Sequence, residues 1–96
     1  MKIDFTKNEG ALNVSLDGRL DTITAPDLES FLAENYADIS ALTIDCEKLA
    51  YLSSAGLRVL LAAQKKMKGA MKLKNVTELV MEVLEMTGFV DILVIE

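Results

Sequence analysis

The chain has 96 residues, 51% of them hydrophobic, a single proline and cysteine, no histidine, and 15 acidic against 10 basic residues for a net charge of -5. That length suits one domain, residues 1-96, which should bury roughly 60 to 70% of the surface its unfolded chain exposes, without a metal or disulfide. The acidic balance speaks against a nucleic-acid partner, the lack of histidine removes the commonest general base and metal ligand, and no apolar run approaches the roughly 18 residues of a membrane span.

In chain order, Ile3 to Thr6 and Ala11 to Asp17 read as a hairpin turning through Lys7-Asn8-Glu9-Gly10. Leu12, Val14 and Leu16 share one face of the second strand. Asn13, Ser15 and Asp17 share the other, so one face of the sheet is wet or meets a partner. Gly18-Arg19-Leu20-Asp21 leads into a loop. Thr24-Ala25-Pro26-Asp27 then starts a helix, with Thr24 as cap, proline in the first turn and an acid at the positive end. Ala25, Leu28, Phe31 and Leu32 form its apolar stripe, and it ends near Tyr36.

Leu42-Thr43-Ile44-Asp45-Cys46 alternates as a half-buried strand does. Lone Cys46 falls on its apolar face and reads as a small core residue, with no histidine to activate it as a nucleophile. Tyr51 to Leu57 is the junction where this apolar run stops and a second helix, from about Ala55 to Lys68, begins. Gly69 ends that helix, and Ala70 to Lys74 forms a short strand. Asn75-Val76-Thr77-Glu78 resembles a capping box for a third helix, which buries Val76, Leu79, Val80, Val83 and Leu84 and ends at Gly88. Ile92 to Ile95 form a last strand or an apolar segment over the core. The order β-β-α-β-α-β-α-β predicts an α/β fold: a mixed, mostly parallel sheet covered by helices.

Function in such sheets collects where strands end and helices begin, and Asp21 and Ser54 both lie in such segments. Ser54 has two readings. It caps the second helix, or it offers a hydroxyl at the positive end of the helix dipole, beside small residues that let another surface approach. Gly56 in the first turn costs up to about 1 kcal/mol relative to alanine, which calls for a reason. Close approach of a partner is one; packing against a strand is the other. Asp21 suits a turn. Arg58, Lys65, Lys66 and Lys68 form a solvated face able to meet an acidic partner. No phosphate loop, paired-carboxylate site or metal cluster can be assembled, so neither an enzyme nor a cofactor is expected.

Gly18-Arg19-Leu20-Asp21, the Asp45 strand, Tyr51 to Leu57 and Met86-Thr87-Gly88-Phe89 together resemble the STAS domain, named for sulphate transporters and anti-sigma factor antagonists, and among its members the small bacterial antagonists. In that family an Asp-Ser-Ser/Thr-Gly-Leu stretch carries a phosphorylated serine directly after the aspartate. By position the acceptor falls on Ser54, the aspartate on Ser53, the following hydroxyl residue on Ala55 and the glycine on Gly56. The departure at Ser53 removes an acidic neighbour and puts a second hydroxyl beside the acceptor, so Ser53 is the alternative acceptor to the favoured Ser54.

The resemblance implies partner switching, and Met1-Lys2-Ile3-Asp4-Phe5, with no cleavable apolar segment, makes a cytoplasmic address the expectation. The unphosphorylated domain binds an anti-sigma factor that is also a serine kinase, phosphorylation of Ser54 releases it, and a serine phosphatase resets it. Asp21, Ser53, Ala55, Gly56 and Arg58 are the expected partner-binding residues. The other role open to the fold is a constitutive binding subunit, like the STAS component of bacterial lipid-transport complexes, in which Ser54 serves only as a cap.

Overall fold

In the computed structural model, which describes residues 1-96 throughout, β1 (Lys2–Asn8) and β2 (Ala11–Leu20) form the expected antiparallel hairpin. Glu9 and Gly10 have φ of 50° and 84°. Positive φ at both central positions is the turn whose twist matches that of paired strands, and glycine takes the second position without strain. The hairpin therefore runs two residues longer into its turn than the polar letters Lys7 and Asn8 suggest.

The chain continues through α1 (Ala25–Asn35), a 3-10 turn (Tyr36–Asp38), β3 (Ala41–Asp45), β4 (Leu49–Leu52), α2 (Ser54–Lys66), β5 (Met71–Lys74), α3 (Glu78–Thr87) and a second 3-10 turn (Phe89–Asp91). The sheet runs β1-β2-β3-β5, and β4 also pairs with β2. Every pairing after the hairpin is parallel. The mixed, mostly parallel α/β sheet is as expected, with two differences in its strands.

The first is β4. β3 pairs with Ala11 to Ser15 of β2, the chain turns at Cys46-Glu47-Lys48, and β4 resumes parallel pairing with Gly18 to Leu20. The register slips between Gly18 and Arg19, and Gly18 takes a φ of 116°. Such bulges re-aim the chain beside sites. Because of the slip, Leu49 and Leu52 are buried while Ala50 and Tyr51 between them are exposed, so strict alternation fails there.

The second is the carboxyl terminus. A single parallel bridge, Leu73 to Ile95, replaces a full last strand. It is held by Leu73 N donating to Val94 O and Glu96 N donating to Leu73 O, both at 2.9 Å, and by a 2.7 Å ion pair of Lys72 with Glu96.

Leu12, Val14, Leu16, Leu42, Ile44, Met71 and Leu73 point to one face of the sheet and join Leu28 and Leu32 of α1, Leu57, Leu60 and Ala63 of α2, and Val80 and Leu84 of α3 in one core. Cys46 is buried in that core as expected. Burial, aided by the charge of Asp45, pushes its thiol up to about 12. The opposite face, with Asn13, Asp17, Lys72 and Lys74, is exposed. No helix is long and apolar enough to cross a membrane.

The starts of α1 and α3 differ from expectation. The capping oxygen of α3 comes from Thr77, which accepts from Val80 N at 3.3 Å. Asn75, at φ 54°, instead donates to Asp45 Oδ1 at 3.2 Å and ties the start of α3 to the end of β3. Thr24 sits at the cap of α1 without a side-chain capping bond, because its hydroxyl is used by the preceding turn.

Candidate functional site

Parallel pairing brings the ends of β2 and β4 together. Arg19 sits opposite Tyr51 and Leu20 opposite Leu52, and the last strand-like bond runs from Ser53 N to Leu20 O at 2.9 Å. The loop after β2, which holds Asp21, and the first turn of α2, which holds Ser54, thus share one edge of the domain.

That final bond decides which serine caps α2. It holds Ser53 in extended geometry, φ -101° and ψ 174°, so Ser53 is the cap residue and its hydroxyl accepts from Gly56 N at 3.4 Å. The capping role read for Ser54 therefore belongs to its neighbour, and α2 starts one residue earlier than expected. Ser54 is the first helical residue and is exposed to solvent. Its hydroxyl stands at the positive end of the helix dipole with no structural task.

Gly56 is buried. A Cβ there would lie 2.7 Å from Leu20 Cγ and 2.9 Å from Leu52 Cδ1. Of the two reasons open to this glycine, the structure supplies the second: α2 packs so close to the paired ends of β2 and β4 that no side chain fits. Ala55 is half-buried and Arg58 exposed, and with Thr22, Pro26 and Glu29 they border a shallow depression of about 190 Å³ between the starts of α1 and α2.

Asp21 closes its own turn. Its Oδ1 accepts from Ile23 N at 3.0 Å and Thr24 N at 3.1 Å, while its backbone N–H donates to Thr24 Oγ1 at 2.9 Å. Thr24 Oγ1 in turn donates to Arg19 O at 2.7 Å. The bond from the Thr24 backbone, with a further bond from the Ile23 backbone and the charge of Arg19, holds the Asp21 carboxyl below its usual range against partial desolvation. Arg19 Nε lies 3.6 Å from Asp21 Oδ2, and the guanidinium sits 4.2 Å above the centre of the Tyr51 ring. Tyr51, Arg19 and Asp21 thereby link the two strand ends across the surface.

Ile23 stands at the crest of this turn, 83% exposed. Sequence reasoning passed over Ile23 and gave Tyr51 no role beyond marking the start of the junction. The available signal for Ile23 was an isolated large apolar residue between Thr22 and Thr24 in an otherwise polar loop. The edge as built carries a free hydroxyl, an aromatic ring, an exposed aliphatic side chain and two arginines on a rigid frame. That composition suits binding of another protein surface.

Comparison with known proteins identifies the family. The family model described as STAS domain matches residues 2–96. A curated relative, the anti-sigma-B factor antagonist of Bacillus subtilis (strain 168), is 33% identical over 99 residues, covering 97% of this chain and 88% of the relative. The crystal structure of an anti-sigma factor antagonist from Mycobacterium paratuberculosis superposes with a TM-score of 0.87 at 26% identity, covering 98% of this chain and 83% of that one. The Bacillus cell fate determinant SpoIIAA in its phosphorylated form shares the fold, with a TM-score of 0.76 at 13% identity over 99% of this chain and 91% of that one. In sequence over nearly its whole length, and in strand order, the chain belongs to the STAS domain family.

Proposed function

We propose that this protein is an anti-sigma factor antagonist controlled by phosphorylation. Its unphosphorylated form binds an anti-sigma factor that is also a serine kinase and so frees the sigma factor. Phosphorylation of Ser54 releases the antagonist, and a serine phosphatase restores the binding form. The observation that carries this reading is the division of labour at the start of α2: Ser53 caps the helix, and Ser54 is exposed with its hydroxyl spare. The names of the relatives support the antagonist role, and a STAS-fold protein solved in a phosphorylated form lends the switch precedent.

The physics of such a switch is favourable. A phosphate adds about -1.5 to -2 charges at neutral pH. At a helix amino terminus that charge is favoured by a few tenths to about 2 kcal/mol, so the free domain keeps its fold. Buried in an interface, the same charge faces repulsion of about 4 kcal/mol per unit against an acidic group about 4 Å away at an effective dielectric of 20. A swing from nearly all bound to nearly all free takes about 5.5 kcal/mol, which repulsion and the bulk of the phosphate can supply with no rearrangement of the domain. Asp21, Ser53, Ala55 and Arg58 then act as the surround of the switch, with Ile23 and Tyr51 as the apolar contacts, while Gly56 sets the position of α2 beneath them.

Peptide-resolved mass spectrometry after incubation with ATP and extract of the source cells tests the reading. One phosphate is expected on wild type and on Ser53→Ala, and none on Ser54→Ala. Wild type that stays unmodified in an extract of verified kinase activity would overturn the switch and favour a constitutive binding subunit, as in lipid-transport complexes.

A further inference from the structure

Helix α3 buries Val80 and Leu84, leaves exposed Leu79, which the sequence pattern assigns to the buried stripe, and turns two parallel stripes outward. Leu79 and Met86, at i and i+7, form an apolar stripe, 53% and 87% exposed, with Val83 at i+4 half-buried between them and packed against the core. Glu78, Glu82 and Glu85, at the same spacing, form an acidic stripe beside it, all exposed and none engaged in an ion pair within the chain. From Asn75 to Glu96 the sequence holds no lysine or arginine.

This is not an ordinary solvated helix face. Such faces usually mix signs so that residues four apart attract, whereas Glu78 and Glu82 are like charges at that spacing and work against the helix. A cation brought from outside would relieve them. An exposed leucine and methionine a little under two turns apart, with a valine between, add an apolar seam of adaptable shape. A negative face repels nucleic acid and acidic membrane surfaces. A second copy of this chain is disfavoured by its own net charge of -5.

We infer that the outer face of α3 is a docking surface for a basic amphipathic helix of another protein, whose apolar face packs along Leu79, Val83 and Met86 while its lysines or arginines meet Glu78, Glu82 and Glu85. Apolar seams flanked by complementary charges are how paired helices choose partners. The surface lies on a different helix from Ser54, and the inference does not depend on phosphorylation.

The test uses the full chain and a synthetic peptide of about 18 residues, some five helical turns, with leucines on one face and lysines on the other, beside a scrambled peptide of the same composition. Fluorescence anisotropy measures affinity and amide chemical shifts map the contact. Binding is expected to shift amides between Glu78 and Val90 and to weaken with salt. Affinity should fall at least about tenfold in the Glu82→Lys/Glu85→Lys variant and severalfold in Met86→Ser, with circular dichroism unchanged because all three side chains are exposed. Equal binding of the scrambled peptide, shifts centred on Asp21 and Glu29, or no binding at all would overturn the inference. So would a concentration-dependent dimer broken by Met86→Ser, which would give the face to a second copy. Because the Ser54→Ala variant should bind the peptide as wild type does, failure of the phosphorylation cycle and failure of this surface are read separately.

Discussion

Two strands end side by side at one edge of the sheet, and the two junctions that follow them are closed in opposite ways. After β2, Asp21 and Thr24 use their polar side-chain atoms on the loop itself, and the helix that follows starts without a side-chain cap. After β4, the single hydroxyl of Ser53 closes the helix start and the next hydroxyl, on Ser54, is left over. The first junction is a self-satisfied frame. The second holds a chemical handle on that frame, and it can do so only because a neighbour has taken the structural task.

Gly56→Ala strikes the contrast hardest. The added methyl must displace Leu20 or Leu52, the last inward residues of β2 and β4, so both junctions move together. Overpacking of this kind costs about 1–3 kcal/mol. Urea denaturation should show that loss, whereas a variant as stable as wild type would mean that α2 is free to slide away from the strand ends.

Ser53 and Ser54 separate more finely. Ser53→Ala removes the capping oxygen and should cost about 1 kcal/mol, while Ser54→Ala should stay within about 0.5 kcal/mol. The same denaturation measurement decides it. Equal losses in the two variants would erase the division of labour on which the switch rests.

The smallest effect concerns the frame. Because the folded Asp21 carboxyl titrates below its usual 3.8, its contribution is fully present above the unfolded value and is lost as pH falls through the lower folded value. Amide shifts of Ile23 and Thr24 should therefore move together as pH falls, with a midpoint lower than that of an ordinary aspartate. In Asp21→Asn that titration should vanish. A midpoint at the usual value would show that the turn does not depend on the carboxylate.

Much of this was legible in the residues. Alternation in Ala11 to Asp17 and Leu42 to Cys46, Pro26 at a helix start, Gly88 at a helix end and the apolar stripes of three helices gave the fold class, because each is a local signal with a local cause. The junction from Tyr51 to Leu57 stood out as the candidate site for the same reason. Less legible were β4, whose burial pattern is broken by a register slip set by β2, and the carboxyl terminus, where four apolar residues gave only one bridge to Leu73. Ile23 escaped notice because exposure is a property of the folded surface.

By itself the sequence determined a two-layer α/β domain with a serine pair at the start of its second helix. Only the tertiary structure decided which serine is spent. The distinction rests on one backbone bond from Ser53 to Leu20, residues far apart in the chain, which fixes where the strand stops and hence which hydroxyl reaches the helix amides. The same holds for Gly56: a short side chain is visible in the sequence, but its reason is the distance to Leu20 and Leu52, and that distance exists only once strand and helix have packed.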